Sequence, residues 1–491
     1  MRITNNMLMR TMMQNINTNL GRLEKLQQQM STGKKIQAPS DDPIVAARAL
    51  KLRTDVSEIE QYKKNVEDAM SWLDVTETAI ASLSDIVQRA RELAVQASND
   101  GVLAEEDRLS IKAEISQLKS SLIEIGNTAY AGRYIFGGYS TDKPPFEIDS
   151  SNSIIGDKLL YNGNLLNPYG SILPPDSDAD ENELKAYYEE ILKYYKGDES
   201  QNIKGVVGNK AGQAELIMAN FNKVTTGEFT ITLDGVPKLI SLDASIGNDL
   251  DNVVSILNQK LEEVFPPVDK TIYVKDENGN EVYSETVTVS PIKVSKEGNR
   301  IKFTVQEGNS IKISGNDEVL KNLGFADGVE SSVNRKQEII YQIGVGNNIK
   351  INVEGNEIFG GKLQGLLDTF NKLEWALDGK TEYTTLIEDE NGDFEIVRNS
   401  LKLSDLIEDL DQDLNQLLKI RADVGARSNF AEMTKNRLDD SLVNFTELMS
   451  NNEDADMAEV IIKLTNEENV YKASLSAGAR LIQPTLLDFL S

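Results

Sequence analysis

The side chains that could carry chemistry in this chain are mainly carboxylates, because its 491 residues include no histidine and no cysteine. Without histidine the chain lacks the usual general base near neutral pH and the commonest metal ligand. Without cysteine it has no disulfide, thiol nucleophile or thiolate metal site. These absences predict a protein that is not an enzyme, with no catalytic residues, no cofactor and no metal.

The carboxylates whose spacing most resembles a metal site are Asp176, Asp178 and Asp180, which match the first, third and fifth positions of a calcium loop. That pattern needs glycine at its sixth position and glutamate at its twelfth, where this chain has Glu181 and Tyr187. We therefore expect residues 176–199 to be a solvated acidic insertion or a short exposed helix. Whether this stretch binds cations stays open at this point.

Two other patterns have simpler explanations than chemistry. Gly344-Val-Gly346 lacks the third glycine and the strand–loop–helix context of a phosphate-binding loop. The paired acids Asp41-Asp42 and Glu189-Glu190 are interpreted as a helix cap and as surface charge rather than as catalytic dyads.

The strongest pattern is an apolar seam of helical period at each end of the chain. A seam with a period near 3.5 residues cannot be buried by one helix alone, so it must supercoil with another helix. We expect the two end helices to pair, and we predict that their seams form an assembly interface. The seam residues are Met9, Met13, Ile16, Leu20, Leu23 and Met30, followed by Met457, Ile461, Leu464, Tyr471, Leu475 and Ile482. Gln27, Glu468 and Gly478 interrupt the two seams.

Charge favours the same pairing. Residues 1–50 contain seven basic and three acidic side chains, whereas residues 451–491 contain three basic and seven acidic ones. Opposite signs bias which helices associate, although an exposed ion pair contributes only about 0.5 kcal/mol or less. Burial of the apolar seam must therefore dominate the pairing energy.

The rest of the chain predicts an elongated α+β fold: a helical coiled-coil or bundle core formed by both ends, with a β-rich middle inserted. An axial helix in 1–43 would pair with 450–491, and a helical hairpin in 44–133 would pack with 400–449. The outer region, 134–399, alternates strand-like segments with turn pairs.

Composition excludes two classes of partner. The net charge of −28 repels nucleic acid and anionic membranes, and no run of eighteen apolar residues predicts a membrane span. Polar residues such as Asn5, Arg10 and Asn15 interrupt the first thirty residues, so these do not read as a Sec signal.

Several motifs then give the chain a family resemblance, over roughly residues 1–165 and 335–491. Met1-Arg-Ile-Thr-Asn5 and the segments 29–36, 39–43 and 466–481 resemble the flagellin superfamily. Within it, the chain is most similar to the hook–filament junction proteins. That narrower resemblance lies in the segments 134–138, 144–146, 161–163, 343–346, 351–353 and 484–490, and in Phe359. Residues 227–325 resemble an insert of the type that some flagellins carry, and their deletion should be tolerated far better than a charge placed in a terminal seam.

The resemblance implies a structural adaptor that joins the flagellar hook to the filament outside the cell, after type III export without a cleaved signal. Implied partners are further copies in a ring, an adjacent hook-associated junction protein, flagellin, and a cytoplasmic export chaperone. We place the chaperone site within 456–490, with Tyr471, Leu475, Leu481 and Ile482 as its apolar anchors. The terminal helices should order only on assembly, because their narrow seams bury little apolar area in isolation.

Two alternatives remain. The first is a flagellin, the filament subunit, against which the ending Leu486-Leu-Asp-Phe-Leu490 and the segment Pro144-Pro-Phe146 argue. The second is a β-domain enzyme or glycan binder carried on a helical stalk, against which the missing histidine argues.

Overall fold

The computed structural model describes residues 5–36, 38–98, 105–150, 157–167, 170–173, 181–196, 213–217, 219–275, 281–332, 336–360, 365–389 and 393–482. The predicted α+β class is confirmed, with long helices towards both ends and strands between them. The helices are α1 Asn5–Thr32, α2 Pro43–Ser98, α3 Glu105–Gly126, α4 Glu181–Lys196, α5 Leu250–Val264, α6 Asp317–Leu323, α7 Gly355–Phe359, α8 Leu366–Leu377, α9 Leu403–Glu453 and α10 Met457–Ile482.

The strands are short and numerous. They are β1 Ala129–Tyr130, β2 Arg133–Tyr134, β3 Phe146–Asp149, β4 Lys158–Tyr161, β5 Asn164–Leu165, β6 Glu215–Ile217, β7 Gly227–Leu233, β8 Val236–Leu242, β9 Val268–Lys275, β10 Glu281–Val289, β11 Ile292–Glu297, β12 Arg300–Val305, β13 Ser310–Gly315, β14 Val329–Ser332, β15 Ile340–Gly344, β16 Asn347–Lys350, β17 Glu382–Glu388 and β18 Phe394–Ser400. The larger sheets have the orders β10-β9-β18-β17, β14-β13-β7-β8, β11-β12-β6 and β3-β4-β5.

Contacts divide the chain into two compact units. The terminal unit contains Met1–Asp68, Gln342–Asn348 and Phe430–Ser491, and the central unit contains Ala69–Tyr341 and Ile349–Asn429. Helices α2 and α9 contribute to both units.

Local chemistry sets the helix ends in the terminal unit. Helix α1 stops before Gly33, whose φ of 68° lies in the left-handed region that glycine adopts at little cost. The Asp42 carboxylate accepts hydrogen bonds from the backbone N–H groups of Ile44 and Val45, which caps α2 as predicted. The Asp456 carboxylate caps α10 in the same way.

The core of α2 follows the helical spacing of its apolar residues. Ten residues at alternating spacings of three and four are all buried: Val66, Ala69, Leu73, Thr76, Ile80, Leu83, Val87, Ala90, Ala94 and Ala97. This stripe is unbroken because every member is apolar or, for Thr76, bonds its hydroxyl to the Trp72 carbonyl one turn earlier.

The acidic segment contradicts the expectation of a solvated surface. Helix α4 presents four side chains to a buried cluster with strands β9, β10, β17 and β18. Those side chains are Tyr187, Ile191, Tyr194 and Tyr195. Over residues 181–196 the prediction of a solvated, exposed helix was wrong, because the charges occupy one face of α4 while most of its aromatic residues occupy the other. The rest of the predicted acidic stretch, 176–180 and 197–199, lies outside the described residues.

The predicted insert is also not self-contained. Strand β9 pairs parallel with β18, aligning Ile272 with Phe394 and Val274 with Ile396. Strand β6, which precedes residue 227, pairs with β12, and a shared core extends from Ala214 to Phe325. The module therefore exceeds the boundaries 227–325, and two of its strands complete a sheet whose other half is β17–β18.

Candidate assembly interface

Helices α1 and α10 form an antiparallel pair in the terminal unit. Three contacts set its direction and register. Met12 lies against Gly478, the Asn19 amide donates a hydrogen bond of 3.3 Å to the Ser474 hydroxyl, and Arg22 lies 3.9 Å from Glu467. Residue numbers rise along α1 as they fall along α10, so the helices run in opposite directions.

Gly478 sets how closely the pair approaches. A Cβ atom at this position would lie 2.5 Å from the Met12 Cε atom and 3.9 Å from Ile16 Cδ1. Because glycine has no side chain, the Met12 methyl group occupies that space. Gly478, which interrupts the predicted seam, is therefore a buried part of the contact.

The stripe that each helix turns inward differs from the predicted one. On α1 it consists of Met12, Ile16, Asn19, Leu23 and Leu26, all half-buried. On α10 it consists of Val460, Leu464, Glu467, Tyr471, Ser474 and Gly478, all buried or half-buried. Both stripes keep spacings of three and four, so the period is that of a coiled-coil seam.

Only part of the predicted seam lies on these inward stripes. Ile16, Leu23, Leu464 and Tyr471 do so, and the side chain of Ile482 lies outside the described residues. The others remain 38–58% exposed; they are Met9, Met13, Leu20, Met30, Met457, Ile461 and Leu475. The sequence analysis missed Met12, Leu26 and Val460 as members of the inward stripes. The small residues Ser474 and Gly478 were the available signal, because small side chains mark the face on which two helices approach closely.

The pair consequently keeps an uncovered apolar surface, which we call the open stripe. It consists of Met9, Met13, Leu20 and Met30 on α1 with Met457, Ile461 and Leu475 on α10. Met7, Ile462 and Val470 are further exposed apolar side chains on these two helices. Large exposed apolar surfaces mark sites of association. The arrangement can therefore bury further helices against the pair.

An ion cluster ties both ends of the chain to α2 and α9; we call it the corner cluster, formed by Lys34, Arg53, Glu453 and Asp454. The Arg53 guanidinium donates two hydrogen bonds of 2.6 Å to the Glu453 carboxylate. Lys34 Nζ lies 3.3 Å from Glu453 Oε2 and 2.6 Å from Asp454 Oδ1. Backbone bonds from Lys35 N–H to Glu453 O and from Ala455 N–H to Gly33 O reinforce the corner.

These contacts shift the pKa values of the cluster towards its charged forms. Hydrogen bonding from Arg53, aided by Lys34, holds the pKa of Glu453 below its usual value. Hydrogen bonding from Lys34 likewise lowers the pKa of Asp454, and Asp454 in turn raises the pKa of Lys34. The corner cluster is therefore ionised and hydrogen-bonded at neutral pH.

The other candidate sites from the sequence have structural roles or lie outside the described residues. Asp176, Asp178 and Asp180 fall outside them, and no group of three or more acidic residues elsewhere in the described chain is placed to hold a metal. Gly344 ends β15, and Val345 and Gly346 form the turn into β16 rather than the start of a helix. Glu190 pairs with Lys193 on α4. None of the helices, over the described residues, is long and apolar enough to cross a membrane.

The ends of the chain match two protein-family models. Residues 3–141 match the bacterial flagellin N-terminal helical region, and residues 407–490 match the bacterial flagellin C-terminal helical region. The first segment includes α1 and the second includes α10, the two helices of the pair described above.

Similar curated proteins carry the name flagellar hook-associated protein 3. The protein from Escherichia coli K12 is 27% identical over 277 residues, which are 52% of this chain and 82% of that protein. The protein from Salmonella typhimurium is 34% identical over 161 residues, 33% of this chain and 50% of that protein. The crystal structure of flagellar hook-associated protein 3 from Legionella pneumophila aligns with 82% of this chain and 97% of its own, at 15% identity and a TM-score of 0.34.

Proposed function

We propose that this chain, both of whose ends are terminal helical regions of the flagellin superfamily, is the structural subunit that joins the flagellar hook to the filament. The resemblance stated from the sequence is confirmed, since similar proteins are named flagellar hook-associated protein 3. The observation that supports assembly is the open stripe beside an already paired α1 and α10. The function is structural rather than enzymatic.

In the proposed assembly, the open stripe is covered by other subunits. Copies of this chain form a ring, with an adjacent hook-associated junction protein on one side and flagellin on the other. We assign the segments 1–43 and 450–491 to the axial core, 44–133 and 400–449 to the rod, and 134–399 to the outer region. A ring of identical subunits meets unlike neighbours above and below, so specificity lies at those two faces.

Energetics favours apolar burial as the driving force for this assembly. Burying a fully exposed leucine, isoleucine or methionine contributes about 1.5–3 kcal/mol, and side chains that are already about half covered contribute roughly half of that, whereas an exposed ion pair contributes about 0–1 kcal/mol. The open stripe has seven such side chains. The free energy gained by burying them exceeds that of ion pairing between the oppositely charged ends of the chain. The charge difference then biases which partner is bound.

The proposal also includes the export route of the chain and a chaperone site on α10. The chain leaves the cell through the flagellar type III apparatus, and a cytoplasmic chaperone covers α10 until export. Tyr471 and Leu475 are the described anchors of that chaperone site; Leu481 and Ile482 are the other two, and their side chains lie outside the described residues. Leu475 is exposed in the α1–α10 pair, so a groove-forming partner can reach it.

The direct test is an add-back experiment on bacteria that lack this protein. Purified chain is supplied to exposed hooks, flagellin follows, and electron microscopy records growth. A short, self-limiting layer that then permits filament growth supports the junction function. Long filaments built from this chain alone would make it a flagellin, the filament subunit, and would refute the junction function.

A pair of variants ties the result to the open stripe. Leu475→Asp places a charge on the stripe while leaving the inward face of α10 unchanged, so the variant should fold and fail to assemble. Ser476→Asp adds the same charge to the next residue, which is exposed and polar, and should assemble normally. Assembly by Leu475→Asp would refute the stripe as the interface.

A further inference from the structure

A buried lysine in the central unit lacks the partner that its charge requires. Lys158 on β4 is only 6% exposed, and its Nζ atom donates a hydrogen bond of 2.9 Å to the Ser171 carbonyl. Among the described residues, no carboxylate lies within 4.0 Å of this nitrogen. Burial lowers the pKa of Lys158, partly offset by Asp368. Desolvation therefore favours a neutral amine, which is nucleophilic.

An asparagine faces this lysine across the β4–β5 hairpin. The strands align Leu160 with Leu165, and the Leu166 N–H donates a hydrogen bond of 2.9 Å to the Leu159 carbonyl. Continuing that register places Lys158 directly opposite Asn167. Directly opposite residues of antiparallel strands have Cβ atoms about 5 Å apart, within reach of each other's side chains.

The Asn167 side chain is likewise incompletely bonded. Its Nδ2 atom is buried and has no hydrogen-bond partner. It faces a cavity of about 20 Å³ whose lining includes Lys158 and Asp368. A buried amide nitrogen without a hydrogen-bond partner destabilises the fold, because its lost hydration is not replaced.

A carboxylate from α8 completes the group. Asp368 is 5% exposed and accepts hydrogen bonds from the N–H and hydroxyl of Ser171, at 2.7 and 2.8 Å. Three atoms converge on the point where a Cβ on Gly170 would lie. Lys158 Nζ is 2.9 Å from that point, Asp368 Oδ1 3.0 Å and Asn167 Nδ2 3.2 Å. The glycine leaves this space open.

From this geometry we propose that Lys158 and Asn167 condense into an intramolecular isopeptide bond, with Asp368 as the proton carrier. The Lys158 Nζ lone pair attacks Asn167 Cγ, and Asp368 takes the proton that the amine loses. Asp368 then delivers the proton to Nδ2, the Cγ–Nδ2 bond breaks, and one molecule of ammonia leaves. No electron donor or acceptor is needed, since one amide replaces another.

The surroundings suit this reaction. The Tyr194 ring lies 5.9 Å from Lys158 Nζ, and Phe359 and Leu367 also line the cavity. Burial of the Lys158 and Asp368 side chains limits the access of water to the amine, and the hairpin register holds Lys158 and Asn167 at facing positions. The product would link β4 covalently to the segment that follows β5, in a chain that has no cysteine for disulfides. The inference does not depend on the proposed junction function.

The decisive measurement is the intact mass of the native full-length chain. We expect a mass below the sequence mass by one ammonia, together with tryptic digests that contain no peptide ending at Lys158. Trypsin requires a free lysine amine, so the digest separates the link from ring closure at Asn162-Gly163, which also releases ammonia. Full sequence mass, or normal cleavage after Lys158, would overturn the proposal and leave a non-covalent polar cluster.

Variants assign the roles once the mass loss is seen. Lys158→Met should restore the full mass, whereas Lys193→Met, at an exposed lysine of α4, should keep the loss. Asp368→Asn should fold, as judged by circular dichroism, and keep a free Lys158. A linked Asp368→Asn chain would exclude Asp368 as the proton carrier.

Discussion

The carboxylate of Glu453, at the end of α9, is held by both donor nitrogens of the Arg53 fork on α2. Each hydrogen bond measures 2.6 Å, and the Glu453 side chain is only 2% exposed. The two residues are 400 positions apart in the chain, and the corner they form also holds the segment between α1 and α2 through Lys34. The joint thus connects the paired terminal helices to the rest of the terminal unit.

Glu453→Gln should loosen this corner. Gln cannot accept from both Arg53 nitrogens or neutralise Lys34, and losing a charged partner of a half-exposed arginine costs about 1–3 kcal/mol. Hydrogen exchange should quicken at residues 33–36 and 450–456. Glu459→Gln, which removes an exposed ion pair with Lys463, is the matched control and should change little. Equal exchange in both variants would contradict the role of the corner.

The corner should also be sensitive to acid. The pKa of Glu453 is lowered on folding, so its contribution to stability is present above the unfolded pKa of about 4.3 and is lost as pH falls through the folded value. Protection of residues 450–456 should stay level from about pH 8 to 5 and then decline. In Glu453→Gln the decline should be smaller. An identical acid response in both proteins would contradict this assignment.

Asp413 on α9 should give the stability of the fold the opposite pH dependence, so that it decreases as pH rises. Burial raises its pKa to about 6, with Asp409 and Asp368 acting in the same direction and Thr369 and Lys372 against them. Because the folded form binds the proton more tightly, stability should fall as pH rises from about 4 to 6. Asp413→Asn should stabilise the central unit at pH 7 by about 1–3 kcal/mol, measured by denaturant unfolding. A destabilised variant would show that the charge is favourable there.

Gly478 provides a test of the α1–α10 register. Gly478→Leu would fill the space of the Met12 methyl group and should separate the helices, seen as faster hydrogen exchange in both. Met12→Ala in the same chain should restore part of the protection. Gly21→Leu is the control, because a Cβ on Gly21 meets nothing within 4 Å. Equal effects at Gly21 and Gly478 would contradict the observed pairing.

Deletion of 227–325 should not be neutral, contrary to the expectation from sequence. It removes β9 and β10, which leaves one edge of β18 unpaired and uncovers Phe394 and Ile396. Limited proteolysis should then cut within 382–400, where the full chain resists. Unchanged resistance in that segment would show that β17–β18 is stable without the added strands.

Some features of this molecule follow from neighbouring residues and were predictable. The buried stripe of α2 follows from its spacing, and the cap at Asp42 follows from a carboxylate placed before a first-turn proline. The β7–β8 turn follows from Asp234-Gly235, whose φ angles of 47° and 82° suit a two-residue hairpin. Each depends on atoms close together in sequence.

The sequence by itself therefore determined the helical ends, the β-rich middle, the absence of thiol and imidazole chemistry, and the family resemblance. Only the tertiary structure decided which face of each element is buried. It turned Met12 and Gly478 inward instead of Met13 and Leu475, buried the tyrosines of an acidic helix, and brought Asp368 to a lysine and an asparagine some two hundred residues earlier. The physical reason is that periodicity groups residues into faces, whereas burial depends on which remote partner fits each face.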